Sequence, residues 1–291
     1  MAPRFSSPRT ARQTGRRSVS EHQGFLRYAD FRWLKLATLL VVIAVAGYIF
    51  ADVKPRPNGG SWYGYTLGTI GALLIVWLTF LGVRKRTMTR GAWSLKAWTS
   101  AHVYLGLSLI VIATLHTGFQ LGWNVHTLAY ALMLLVIASG LFGIVVYAVL
   151  PATLSANREE MTQAQMIDGI EALDRQLDNA AQPLARDHAE MVLAAISENP
   201  FRGGLLQRLS GRFHRGPTER AIAAIDRAAS SDPAMVRVEG LLRRRKAQLD
   251  RLRRHLHYKA LLEVWLYIHV PATIALLAAL TAHIVSVFYY W

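Results

Sequence analysis

Five long runs of uncharged, mostly apolar residues constrain this chain of 291 residues more than any other feature. They cover residues 36–51, 62–83, 97–123, 125–150 and 264–291. A run of about 18 such residues is long enough for an α-helix to cross the hydrocarbon core of a bilayer. A helix also bonds its own backbone polar groups, as the bilayer interior requires. The runs therefore predict an all-α integral membrane bundle of about five transmembrane helices.

The first run is the shortest, and it has a second interpretation. Ala44 and Ala46 resemble the cleavage site of a signal peptide. The basic segment before this run is about 30 residues long, which favours a retained span over a cleaved signal. A hydrophobic fraction of 53% and a mean hydropathy of +0.24 also indicate a membrane protein.

The formal net charge of +15 is placed in a way that indicates topology, not a nucleic-acid partner. Residues 1–35 hold eight Lys or Arg against two acids, and the loop 84–96 is basic. The loop between the third and fourth runs has no charge. Because positively charged short loops stay in the cytoplasm, we expect the N-terminus inside and the C-terminus outside. Lys54 and Arg56 then lie outside, which counts against this orientation.

Composition divides the chain into four parts. We predict a basic, disordered cytoplasmic tail over 1–33, transmembrane helices one to four over 34–150, a cytoplasmic all-helical insert over 151–259 and transmembrane helix five over 260–291. Residues 233–265 contain no helix breaker except Gly240, which predicts one long helix running directly into the fifth span. The basic clusters 243–246 and 251–254 are interpreted as contacts with lipid headgroups or as a solvated helix face.

Two apolar runs carry matched pairs of histidines. The third run has His102 and His116, the fifth has His269 and His283, and both pairs are fourteen residues apart. Fourteen residues turn a helix through about 1400°, about 40° short of four full turns, and span about 21 Å. Both runs are predicted to cross in the same direction. The depth of His102 should therefore match that of His269, and the depth of His116 that of His283.

Ionisable side chains inside a membrane are costly and usually functional. Two facing imidazoles fill both axial positions of a haem iron, so the pairs predict two haem b groups. The interior of the predicted spans has almost no Asp or Glu, which argues against a proton relay or a di-iron carboxylate site. A zinc site would need three or four ligands at one depth. The chain has no cysteine, which excludes a covalently attached c-type haem and a cysteine-bound iron–sulfur cluster.

Three further residues are candidates for binding a cofactor. Arg90 and Lys96 lie in the basic loop near the level of His102 and are candidate partners of haem propionates, although the same charges also enforce topology. His126, at the outer start of the fourth run, is a candidate donor to a propionate or a residue of a quinone or acceptor pocket. It could equally be an ordinary interfacial residue.

Histidine pairs about fourteen apart on the third and fifth spans resemble the transmembrane domain of ferric reductases and NADPH oxidases. The segment "AHVYLGLSLIVIATLHTGFQLGWNVH" is also similar to a bacterial cytochrome b segment, which implies a protein of the bacterial inner membrane. The resemblance covers roughly residues 60–150 and 260–291 and implies that His102, His116, His269 and His283 are axial ligands. A flavin- and NADPH-binding module usually follows the last span in that family, and none is recognisable here. We therefore expect a separate electron donor, either a cytoplasmic flavin or iron–sulfur protein or membrane quinol.

Three functions remain open from the sequence. The first is an electron-transfer subunit, an interpretation favoured over a self-contained enzyme. The second is a terminal reductase that passes electrons from the outer haem to ferric iron or oxygen. The third is a non-redox membrane scaffold or transporter whose insert recruits a partner, which would leave four deeply placed histidines unexplained.

Overall fold

A computed structural model describes residues 25–53, 58–87, 93–149, 163–201, 204–213, 216–228 and 232–289. Every regular element in these ranges is a helix. A short 3-10 helix, Phe25–Arg27, comes first. The α-helices are α1 Arg32–Phe50, α2 Trp62–Thr87, α3 Leu95–Thr117, α4 Val125–Val149, α5 Gln163–Ala181, α6 Arg186–Ile196, α7 Leu205–Ser210, α8 Pro217–Ala228 and α9 Pro233–Tyr289.

Five of these helices, α1 to α4 and α9, are long and apolar enough to cross a membrane. The predicted all-α bundle is thus confirmed, and the chain is a multi-pass membrane protein by the length and composition of its helices. It divides into two compact units, Met1–Gly122 and Trp123–Trp291. Most of the predicted tail, residues 1–24, lies outside the described residues, as do residues 150–162 at the start of the predicted insert. Residues 25–27 form the 3-10 helix and residues 28–31 a turn, and the Tyr104 hydroxyl donates to the Leu26 carbonyl at 2.9 Å.

In the first unit, α3 packs against both α1 and α2. Its fully buried Ile112 lies in a core with Ala44, Tyr63 and Leu67 from the other two helices. Ser94 caps the start of α3. Its hydroxyl accepts a hydrogen bond from the Ala97 amide at 3.2 Å and so satisfies one of the free N–H groups of the first turn.

Four tryptophans gather at one end of this unit. They come from α1, α2, the segment before α3 and α3 itself: Trp33, Trp77, Trp93 and Trp98. The rings of Trp77 and Trp98 are stacked with centroids 4.8 Å apart. Tryptophan is enriched at the boundary between lipid and water in membrane proteins.

In the second unit, helix α9 is continuous for 57 residues and passes through Pro271 without a break. The predicted single helix into the fifth span is therefore confirmed. Its last charged residue before the C-terminal stretch is Glu263. The apolar half packs against α4, and the polar half packs against α5, α7 and α8. Apolar residues of α5, α6 and α8 form a core with the polar half, in which Leu177, Val192 and Leu242 are fully buried.

A buried arginine lies in the middle of the polar helices. Arg245 is 0% exposed. Its guanidinium bonds both carboxylate oxygens of Asp174, at 2.5 and 3.3 Å, and donates to Thr218 Oγ1 at 2.7 Å and to the Ile196 carbonyl at 3.2 Å. The prediction that 243–246 is a lipid contact or a solvated face is therefore wrong for Arg245, because α5 and α8 cover that side of α9.

Glu198 extends this buried network. Its carboxylate accepts bonds from the amide and hydroxyl of Thr218 and from Arg253, the last at 2.7 Å. Burial alone would raise the pKa of Glu198, but the bonds from Thr218 and the bond and charge of Arg253 outweigh it and hold this pKa below its ordinary value. Folding therefore favours the ionised form of the Glu198 carboxylate.

Candidate cofactor-binding histidines

The four predicted ligands lie on the two expected helices. His102 and His116 are on α3, and His269 and His283 are on the apolar half of α9. All four are partly buried. The α3 pair belongs to the first unit and the α9 pair to the second, and each pair is held by the helix that packs against it within that unit.

Helix α2 orients the α3 histidines through backbone carbonyls. His102 Nδ1 is 3.1 Å from the Leu78 carbonyl oxygen, and His116 Nδ1 is 2.8 Å from that of Gly64. A carbonyl can only accept, so both Nδ1 atoms carry the proton and donate. In the neutral ring the lone pair then resides on Nε2. This tautomer, with Nδ1–H anchored to the protein, is typical of histidines that bind a metal through Nε2.

Helix α4 orients the α9 histidines through side chains. His269 Nδ1 is 2.8 Å from Ser139 Oγ, and that hydroxyl also donates to the Val136 carbonyl at 2.8 Å. Because the hydroxyl has one proton, its oxygen accepts from His269 Nδ1–H, and His269 has the same tautomer as the α3 pair.

His283 contacts the Nδ1 of His126 through its own Nδ1. The two rings are nearly perpendicular at 88°, with centroids 4.6 Å apart. One nitrogen of this pair donates and the other accepts, so His126 can accept from His283 Nδ1–H. The structure thus brings His126 into contact with a predicted ligand, although His126 itself is exposed.

Two glycines allow the imidazoles to lie close to the neighbouring helix. A Cβ atom on Gly68 would be 2.7 Å from His116 Cε1 and 2.9 Å from its Nδ1, closer than real Cβ contacts. A Cβ on Gly140 would meet His269 Cε1 at 3.6 Å, an ordinary contact. Gly68 is therefore required for the His116 ring position, whereas Gly140 merely permits that of His269.

Two predicted site residues remain, Lys96 and Arg90. Lys96 is exposed in the first turn of α3, six residues before His102. Arg90 lies outside the described residues. Among the described ranges, no group of three or more His, Cys, Asp or Glu side chains is placed to hold a metal ion.

Sequence reasoning missed Ser139, Ser100 and Trp265. Ser139 is the single serine of α4, a polar residue inside an apolar run, and that signal could have identified it. Ser100 Oγ, two residues before His102, and Trp265 Nε1, four residues before His269, are buried polar atoms with no hydrogen-bond partner among the described residues. The Trp265 ring lies 5.6 Å from the His269 ring.

The fold defines the class of this protein as an all-α, multi-pass membrane protein with histidines inside its apolar helices. Comparisons with protein-family models, curated proteins and solved structures find no match for this chain.

Proposed function

We propose that the chain is a b-type membrane cytochrome, which carries electrons across the bilayer through two bis-histidine haems. The observation that supports this proposal is the engagement of Nδ1 in all four histidines by a neighbouring helix. Packing or interfacial histidines have no need for one common ring nitrogen to be anchored. Axial ligands do, because the anchor fixes the ring plane and leaves the Nε2 lone pair as the ligand atom.

The residues present fit a haem by their chemistry. Imidazole nitrogens are suitable axial ligands, and a bound haem supplies the one-electron Fe(III)/Fe(II) couple. The equal fourteen-residue spacing on two spans that are expected to be parallel pairs His102 with His269 at one haem and His116 with His283 at the other. The buried Trp265 Nε1, on a ring 5.6 Å from that of His269, would find an acceptor in a group with carboxylates.

The protein's own residues have two tasks in this proposal, to hold the imidazole planes and to exclude water. The Leu78 and Gly64 carbonyls and the side chains of Ser139 and His126 hold the imidazole planes. The apolar surroundings exclude water and so influence the potential of each haem. The basic end of α2, with Arg84, Lys85 and Arg86, supports a cytoplasmic location of that end in a bacterial inner membrane.

The electron donor in this proposal is a separate cytoplasmic flavin or iron–sulfur protein, or quinol within the membrane. A terminal reductase of ferric iron or oxygen at the outer haem is the second candidate. Exposure of His126, which contacts His283 near the start of α4, favours it, because an acceptor could approach this pair from outside the bundle. Since two imidazoles would fill the axial positions, that reduction would be outer-sphere.

The test is the haem content of the full chain. The protein is expressed with ample haem, purified in detergent, and measured by the pyridine haemochrome method together with a reduced-minus-oxidised spectrum. We expect two b-type haems per chain. His116→Ala and His269→Ala should each remove the low-spin signal of one haem, whereas His188→Ala, on the polar helix α6, should keep both.

Other outcomes are equally informative. One haem in the unaltered protein would mean that one of the two histidine levels is assigned wrongly. No haem would refute the redox function and favour the membrane scaffold or transporter.

A further inference from the structure

The short helix α7 leaves two adjacent leucines on the surface. Leu205 is 57% exposed and Leu206 is 83% exposed. Neighbouring segments bury their apolar side chains, since Phe201 packs against the cluster that contains Leu252 and Leu256. Exposure of two consecutive leucines to water is unfavourable. Whether they meet water or lipid depends on how far α7 lies from the bilayer.

Helix α7 is fixed to α9 at His257. His257 Nδ1 donates to the Arg208 carbonyl at 2.6 Å. A Cβ on Gly211, which ends α7, would lie 3.4 Å from the same ring. The Arg253 guanidinium, one helical turn earlier, lies 5.2 Å from the centroid of the Phe213 ring. Three contacts thus hold α7 and the residues after it at one height on α9.

That height is close to the bilayer. The uncharged stretch of α9 begins at Val264, seven residues after His257, which is about 10 Å along the helix axis. The headgroup layer is roughly 5 to 8 Å thick on each side of the hydrocarbon core. The face of α9 that carries His257 continues with Leu261 and Val264, both apolar, towards the membrane. Helix α7 is therefore within side-chain reach of the headgroups.

Exposed cations flank the leucines. Arg212 follows α7 and is exposed, and Arg254 is exposed on α9. Arg254 lines a shallow surface depression together with Gly211 and His257. Two acids also line it, Glu219 and Asp250, and both form ion pairs with one lysine, Lys246. Arg212, Arg254 and Lys246 outnumber these two acids by one charge, so the balance beside α7 is positive and suits anionic phosphates.

We propose that α7 is a membrane-interface anchor. Leu205 and Leu206 insert among the lipid headgroups, and Arg212 and Arg254 bind the phosphates of anionic phospholipids. Amphipathic segments with this combination of leucines and cations bind bilayer surfaces. The anchor holds the polar helices against the cytoplasmic face of the membrane. It does not depend on haem, so it can fail or succeed independently of the proposed cytochrome function.

The natural absence of cysteine makes the test direct. Leu206→Cys gives a single labelling site on α7, and Leu193→Cys, at a position 50% exposed on α6, gives the matched control. Each full-length variant carries a nitroxide spin label in nanodiscs of mixed phosphatidylglycerol and phosphatidylcholine. Power saturation compares its collisions with oxygen, which concentrates in lipid, and with a water-soluble nickel chelate.

We expect the label at position 206 to favour oxygen several-fold over the chelate, and the label at 193 to favour the chelate. In nanodiscs of phosphatidylcholine alone, or after Arg212→Gln with Arg254→Gln, the label at 206 should move towards chelate accessibility. A label at 206 as accessible to the chelate as that at 193 would overturn the anchor. A lipid-exposed label unaffected by lipid charge would overturn the role of the two arginines. Leu205→Cys repeats the measurement if Leu206→Cys does not fold.

Discussion

Arg245→Ala should destabilise the polar helices severely, because it removes a buried cation whose partners stay behind. Asp174 would lose two N–H donors, and Thr218 and the Ile196 carbonyl would lose one each. Removing one partner of a buried ion pair costs about 3–5 kcal/mol. The Asp174 side chain is 19% exposed and can recover some hydration, so we expect the lower end, about 3 kcal/mol.

Pulse proteolysis in urea, on the full chain in detergent, measures this loss. The polar helices are cut when they unfold, while the apolar helices remain protected by the micelle. With a denaturant slope of about 2 kcal/mol per molar urea, a loss of about 3 kcal/mol lowers the midpoint by about 1.5 M. Arg244→Ala is the matched control, since Arg244 immediately precedes Arg245 on the same helix and is exposed.

The control should change the free energy of unfolding by less than about 0.5 kcal/mol, as is usual for surface substitutions. Arg245→Met, which is neutral but fills a similar space, should fall between the control and Arg245→Ala. If Arg245→Ala and Arg244→Ala shift the midpoint equally, the buried network does not stabilise the fold and the reasoning is refuted.

Three further predictions concern acid stability and the histidines. The pKa of Glu198 is lowered in the folded protein, so its contribution to stability is complete above about pH 4.5, near the ordinary glutamate pKa, and is lost as the pH falls below that value. The urea midpoint is therefore measured between pH 6 and pH 3. Glu198→Gln should lose less stability than the unaltered protein over this range, and an equal loss in both would contradict this. Gly68→Ala should displace the His116 ring and reduce the amount of haem per chain. Gly82→Ala on the same helix should leave the haem content unchanged, because a Cβ there meets nothing within 4 Å. Equal haem content in both variants would refute the steric argument. Ser139→Ala should keep the fold but weaken the binding of one haem about 10- to 100-fold, the usual effect of losing the hydrogen-bond partner of a ligand. Titration with hemin measures this affinity. An unchanged affinity would contradict the role of the hydroxyl.

Local features were predictable from the sequence because they depend on neighbouring residues in the chain. Length and apolarity identify the spans, since a helix that satisfies its own backbone is the form that lipid allows. The long helix α9 was predictable because residues 233–265 contain no breaker except Gly240. The helical positions of the four histidines follow from their fourteen-residue spacing.

Partners across helices were not predictable, because they depend on how each helix is rotated and how far it is shifted along its neighbour. Arg245 lies in a basic run with exposed neighbours, and its burial arises only because α5 and α8 pack on that side of α9. Ser139 and His126 could be noted as polar residues in an apolar run, but the ring nitrogens that they contact depend on the packing of α4 against α9.

The sequence by itself determined how many helices are suited to lipid, where charge permits a span to end, and which helices carry imidazoles. These properties depend on hydrophobicity and on the 1.5 Å rise of a helix. The tertiary structure alone decided which nitrogen of each histidine is anchored, which glycine must lack a side chain, and which arginine is buried. Each of these depends on contacts of a few ångströms between helices, and packing at that distance is set by all the side chains of the interface together.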